Sequence, residues 1–221
     1  MIWGIIAIIL CIFLSMKIVS RKMKWTKVDK MIRRIHIPCG VLVLVVILTH
    51  LIVTRDVWPT RSVWVIGTGI TTAVLLLLMA LGYVFRKKLK GRWIVLHRVG
   101  ATLIALLIVC HVFTYYVDLL SYKRDVSAIN VKGIDAGKVK DGTYEGEYDV
   151  GYIYAKVEIT VRKGTITDIN IVEHDNERGA PAEAVVDDII EQQTTKVDAV
   201  SGATNSSLVI EKAVENALES K

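Results

Sequence analysis

Cysteine is scarce in this 221-residue chain, and its three copies exclude more than they offer. Cys11, Cys39 and Cys110 all sit inside apolar runs, with no paired spacing. A disulfide framework and a zinc site built on cysteine pairs are therefore excluded. The three read as buried thiols that behave as small hydrophobes. No C-x-x-C-H run occurs, so covalent haem attachment through that motif is excluded as well. Acid is also scarce, but only in one half. Residues 1–124 hold three acids (Asp29, Asp56, Asp118) against 18 Lys+Arg, a net charge of +15. Residues 125–221 hold 19 acids and 10 bases, a net charge of −9, which leaves the overall +6. A basic apolar half joined to an acidic polar half reads as a membrane domain plus an aqueous one. The apolar runs between the bases exclude a nucleic-acid binder.

Four segments carry those runs: roughly 2–19, 35–53, 63–85 and 93–117. The third has no charge over 23 residues. The first lacks a basic n-region and a clear small-residue cleavage site, so it is expected to be a retained helix, with Lys17 snorkelling to the interface. Trp3, Trp25, Trp58, Trp64 and Trp93 fall at or near segment ends, as an interfacial aromatic belt does. Residues 17–34 carry eight bases and residues 86–92 carry five, whereas residues 54–62 carry only Arg55 and Arg61. The positive-inside rule then predicts cytoplasmic first and third loops, with the amino terminus and everything after the fourth helix outside.

Two of these segments share a spacing. His36 and His50 are fourteen residues apart, and so are His97 and His111. On a helix that separation rises about 21 Å and falls about 40° short of four turns. Each helix thus carries two imidazoles on nearly one face, toward the two edges of a core about 30 Å thick. The two helices are predicted to run parallel, which pairs His36 with His97 at the inner level and His50 with His111 at the outer. One such histidine would read as a polar group hydrogen-bonded within a bundle. Four at a duplicated spacing read as ligands, because ionisable groups in membrane helices are usually functional. About 21 Å rules out one shared ion, and two neutral imidazoles per level suit two b-type haems better than a closed zinc or copper site. Arg33, Arg34, Arg98 and Arg55 read first as topological charge, and as partners for haem propionates in the alternative.

HIPCGVLVLVVILTH and HRVGATLIALLIVCH resemble the histidine helices of the ferric-reductase and NADPH-oxidase type of membrane cytochrome b. The resemblance rests on spacing more than on identity. It departs from that family in having four helices where the family core has six, and in lacking the cytosolic FAD/NADPH module.

Residues 118–141 read as a polar tether. Beyond it, Thr143–Tyr148, Tyr154–Val161 and Ile166–Val172 are predicted strands, the second alternating cleanly and the third following a Lys163-Gly164 turn. Pro181 is expected to open a helix running to about Gln192, and a last helix is expected over 206–219. The fold class is a membrane all-α four-helix bundle followed by a small α+β extracytoplasmic domain. The domains are 1–117, a linker over 118–141, and 142–221.

Between the two outer helices lies DAVSGATNSS, a small-residue loop leading into a helix amino terminus. Free N–H groups there favour a phosphate; the run would equally serve as a plain cap. VDAVSGATNSS, with DGTYEGEYDVGY, VRKGTITDINIVEH and GAPAEAVVDDIIEQQ before it, resembles the FMN-binding domains of the C subunit of the sodium-pumping quinone reductase and the G subunit of the Rnf complex. That resemblance spans 141–220. It implies covalent FMN on Thr204 through a phosphoester, attached by a separate flavin transferase outside the cytoplasm. It implies Ser201, Gly202 and Ala203 as the surrounding loop, and Asp198 as the acidic position serving transferase recognition or loop geometry. His174 either lines the isoalloxazine pocket or is a surface residue of a polar turn; Glu183 is read as a first-turn helix charge.

The sequence thus reads as a multi-pass membrane electron conduit with two haems b and a tethered FMN. Membrane quinol or a redox protein is an expected partner. Three alternatives stay open: a relay to another protein, a self-contained reductase of a small acceptor such as ferric iron, and a flavin or metal sensor with structural histidines. Whether it is an enzyme, and which way electrons flow, are left open.

Overall fold

The computed structural model describes residues 2–176 and 178–219. The chain divides into two compact units, Met1–Pro59 with Val63–Tyr116, and Thr60–Ser62 with Val117–Lys221, the second called the outer unit after the side that its flanking charges predict. Four long apolar helices dominate the first: α1 (Ile2–Lys22), α2 (Thr26–Thr54), α3 (Val63–Val84) and, after the single turn α4 (Arg86–Leu89), the first part of α5 (Arg92–Ser127). All four are long and apolar enough to cross a bilayer. Their outer faces are bare hydrocarbon: Ile18, Val63, Val109 and Phe113 are each about two-thirds exposed or more. Lipid tails, not water, stabilise such a surface. Hydroxyls within these helices donate back to carbonyls four residues earlier, as Ser15 does to Cys11, Thr49 to Val45 and Thr102 to Arg98. That satisfies them without water.

Two expectations about connections need correction. The basic stretch 17–34 is not a loop. α1 continues to Lys22 and α2 starts at Thr26, leaving a three-residue turn in which Lys24 takes a left-handed conformation (φ 56°). Lys and Arg are good helix formers, and Arg21 and Lys22 in the last turn of α1 complement its dipole. The predicted tether over 118–141 is not free either. α5 runs on to Ser127, because Leu119, Tyr122 and Val126 recur at helical spacing and pack on the outer core. Ile129, Ile134 and Val139 pack on the same core. The Lys132 backbone N–H donates to the buried Glu215, and its ammonium pairs with Glu219 at 2.7 Å.

The outer unit contains β1 (Gly142–Asp149), β2 (Tyr154–Arg162) and β3 (Thr165–Asp175), antiparallel in the order β1-β2-β3. Lys163 and Gly164 both have positive φ (54° and 67°), the backbone of a tight two-residue hairpin. Ala155, Val157, Ile159 and Val161 of the central strand are buried, as their alternation requires. A 3-10 turn (Ala180–Ala184) leads into α6 (Val185–Gln192), so the expected helix after Pro181 starts one register tighter. The last helix, α7 (Thr204–Glu219), covers β1 and β2 with Val209, Ile210, Ala213, Val214, Ala217 and Leu218. Gly146 makes this packing possible: a Cβ there would sit 2.3 Å from the Ala213 carbonyl oxygen and 2.5 Å from the Ala217 nitrogen.

Candidate functional site

The outer unit has a cleft of about 380 Å³ at the amino terminus of α7. Gly202, Ala203, Thr204, Asn205 and Ser206 form one wall, and Tyr122, Tyr152, Ile153, Arg178 and Gly179 form the rest. Its size falls in the range of small-ligand pockets. Local bonds set the loop. Ala203 N donates to Val200 O at 3.0 Å, Ser207 N donates to Ala203 O at 3.0 Å, and Val200 N donates to the Ser207 hydroxyl at 3.0 Å. Gly202 sits at φ 81°, a left-handed position that a side chain would strain. Gly179 lets the opposite wall close in: a Cβ there would lie 1.9 Å from the Ser206 hydroxyl.

Thr204 opens α7 and is exposed. The first-turn N–H groups of a helix have no intrahelical acceptor, and the dipole there favours an anion. The cation of Arg178 is in the same cleft. A helix amino terminus, an arginine and two tyrosines therefore line one cavity, and these residues fit a flavin mononucleotide. Of the residues expected from sequence, Gly202, Ala203 and Thr204 line the cleft, and Ser201 is their exposed neighbour. Asp198 is exposed and close enough to Glu211 to act on its charge.

His174 is not in the cleft lining. Its ring is buried, with Nδ1 3.0 Å from Glu183 Oε1 and 3.3 Å from Asn176 Nδ2. Glu183, read as a plain helix charge, is thus that ring's partner. Sequence reasoning passed over Tyr122, Tyr152, Arg178, Asn205 and Glu211. Glu211 lies fully buried on α7 with Oε1 unpartnered. Burial pushes its carboxyl up to about 7, Lys196 pulls it down, and Asp198 pushes it up again. Its signal was legible as an acid on the inward stripe of an amphipathic helix, one position after Ile210.

In the membrane unit, His36 and His97 meet edge-on, with ring centroids 5.9 Å apart and planes at 77°. Two imidazoles sharing one metal would have centroids roughly 6 Å apart, given metal–nitrogen bonds of about 2.0–2.1 Å. Trp93 packs on the His97 ring at 5.3 Å. At the other level, His50 lies against Gly4, and His111 against Gly69, where a Cβ would come within 3.4 and 3.0 Å of the rings. His111 is within electrostatic range of His50. His111 Nδ1 is 3.1 Å from the Val65 carbonyl and 3.0 Å from the Thr68 hydroxyl. A carbonyl only accepts, so Nδ1 carries the proton and Nε2 presents its lone pair. This is the tautomer a ligating imidazole needs. The Nδ1 atoms of His36, His50 and His97 are buried without a protein hydrogen-bond partner. The inner pair, His36 and His97, has the spacing that two imidazoles on one iron would need. Among the described residues, no cluster of three or more His, Cys, Asp or Glu is arranged to hold a metal ion. Of the arginines, Arg33 pairs with Asp29 at 2.6 Å and Arg55 with Asp56 at 3.1 Å.

The sequence model of a family described as FMN-binding domain matches residues 151–219. The match starts after β1, although β1 is hydrogen-bonded to β2 along its whole length. No curated protein and no solved structure matches the chain.

Proposed function

We propose that this membrane protein transfers electrons between two b-type haems in its helices and an FMN carried covalently on Thr204. The observation that carries the reading is an exposed threonine at the amino terminus of α7, in the wall of a cleft within the FMN-binding domain. Its hydroxyl would supply the oxygen of a phosphoester, made by a separate flavin transferase. Arg178 and the first-turn N–H groups of α7 would neutralise phosphate charge, and Gly202 would let the backbone approach it. His36 with His97, and His50 with His111, would each hold one haem iron. When bound, haem supplies one-electron exchange and flavin supplies one- or two-electron exchange. Val65 and Thr68 fix the His111 ring in the ligating tautomer. Charge asymmetry supports an outer-facing FMN domain, since the basic clusters flank the α1–α2 and α3–α5 connections. Membrane quinol, or a redox protein on the outer side, is the expected partner.

Full-length protein is produced alongside a flavin transferase and run on a denaturing gel. The parent shows a fluorescent band and Thr204→Ala shows none. A band that persists in the variant would place the linkage on another residue. A reduced-minus-oxidised spectrum of the same preparation counts the haems, and a preparation lacking a Soret band refutes that half of the reading.

A further inference from the structure

The cleft beside Thr204 has an aromatic end that lies partly outside the matched domain. Tyr122 stacks on Tyr152 with ring centroids 4.6 Å apart and planes at 13°. Among the described residues the other ring pairs are tilted or edge-on. Tyr152 is buried, and the Arg61 guanidinium sits 3.5 Å from its centroid. Tyr122 is half-buried and lines the cleft. Its phenol oxygen accepts a hydrogen bond from Asn205 Nδ2 at 2.8 Å. Asn205 follows Thr204 directly, so the ring is tied to the attachment residue through a single peptide unit.

We infer that Tyr122, from the extension of α5, is the ring on which the isoalloxazine stacks, with Tyr152 as its buttress. This rests on the assignment of Thr204 as the attachment residue. A flat, electron-poor heteroaromatic gains from offset stacking on a phenol ring beyond the area it buries. Thr204, Asn205 and Ser206 of α7 line the cleft together with the Tyr122 and Tyr152 rings. A flavin anchored by its phosphate at Thr204 has its ring system to place, and the cleft offers it this one stacked surface. Tyr152 is a positioning residue: it holds the Tyr122 ring, and Arg61 covers it in turn by a cation–π contact. FMN binding by this chain therefore uses a residue that precedes the matched segment.

The test uses the full-length flavinylated protein in detergent. Stacking on tyrosine quenches flavin emission, so native emission per bound flavin reads the stack. Emission after denaturation counts the covalent flavin. Tyr122→Leu should keep the denatured signal and raise native emission roughly fivefold, the population change expected on losing one aromatic pair. Tyr122→Phe should keep the denatured signal and also raise native emission, since its benzene ring still fills the space but cannot donate an electron to the excited flavin as a phenol does. If the leucine variant loads poorly, Tyr122→Trp decides: emission at or below the parent supports the stack, and emission above it overturns it. Parent-like emission in a fully loaded Tyr122→Leu also overturns it. A parent lacking covalent flavin would sink the Thr204 assignment instead, and the two failures are read on different measurements.

Discussion

Replacing Glu211 by Gln should make the outer unit more stable at neutral and alkaline pH and leave it little changed in acid. Glu211 is 1% exposed, with one carboxylate oxygen unpartnered and its carboxyl pushed up to about 7. In the unfolded chain the same group titrates near 4.3. Between those values the folded form holds a proton that the unfolded form has released. Stability therefore falls as pH rises from about 4.5 through about 7, and stays low above. The interval is worth of order 3 kcal/mol. For a domain of this size that is roughly a 10–20 °C shift of the transition. Glutamine keeps the shape and a polar head but cannot ionise. The assay is thermal unfolding of parent and Glu211→Gln in one detergent from pH 4.5 to 8.5, taking the difference in midpoint at each pH. Other titrating groups are common to both proteins and cancel in that difference. The gap should be near zero at pH 4.5 and widest above pH 7. A gap that does not change with pH would refute the reasoning, because it would mean that the carboxyl finds water or a cation when it ionises. Lys196→Met adds a check: it removes the cation opposing the shift, so the midpoint at pH 8 should fall further.

His111→Ala should remove about half of the reduced b-type absorbance, since it would break one of the two proposed ligand pairs; an unchanged spectrum excludes the His50/His111 pair as a ligand set. Gly146→Ala should unfold the outer unit or displace α7, because the new Cβ meets backbone atoms at 2.3 and 2.5 Å, and limited proteolysis of the membrane-embedded protein would show the release. Gln193→Ala should cost about 1–3 kcal/mol of outer-domain stability. Its side chain accepts from Ile166 N at 2.7 Å and donates to Ile166 O at 3.0 Å, so both backbone groups of that strand residue lose their partner; denaturant unfolding measures the loss.

Periodicity made most of the fold legible. The alternation over 154–161 marked the central strand, and the uncharged run from Val63 marked α3, because burial in sheet and in lipid imposes different repeats on the same apolar residues. What periodicity did not mark was the start and end of helices in charged sequence. The stretch from Arg21 to Arg34 reads as a loop by charge, yet Lys and Arg extend α1 and α2 there with little cost. Residues 118–127 were obscured in the same way. Leu119, Tyr122 and Val126 carry a helical repeat diluted by Lys123, Arg124 and Asp125, and a composition-based boundary fell too early.

That early boundary also hid part of the site. Thr204 and its loop stand out in sequence because a helix amino terminus with small residues is a local feature, written within ten consecutive positions. Tyr122 and Tyr152 are thirty residues apart and meet only because α5 continues past the apolar run and packs its last turns on the outer core. Glu183 and His174 are separated by the end of β3 and a 3-10 turn, so their bond was equally invisible. The proposed attachment is therefore a property of one short segment. The environment that would tune a bound flavin is assembled by tertiary packing, and it draws on residues that a domain excised at position 151 would lose. A fragment starting there should lack Tyr122 and the Lys132 backbone contact to Glu215, along with all of β1. Its central strand would be left as a sheet edge with unpaired backbone groups, so it should aggregate where one starting before Asp118 stays soluble.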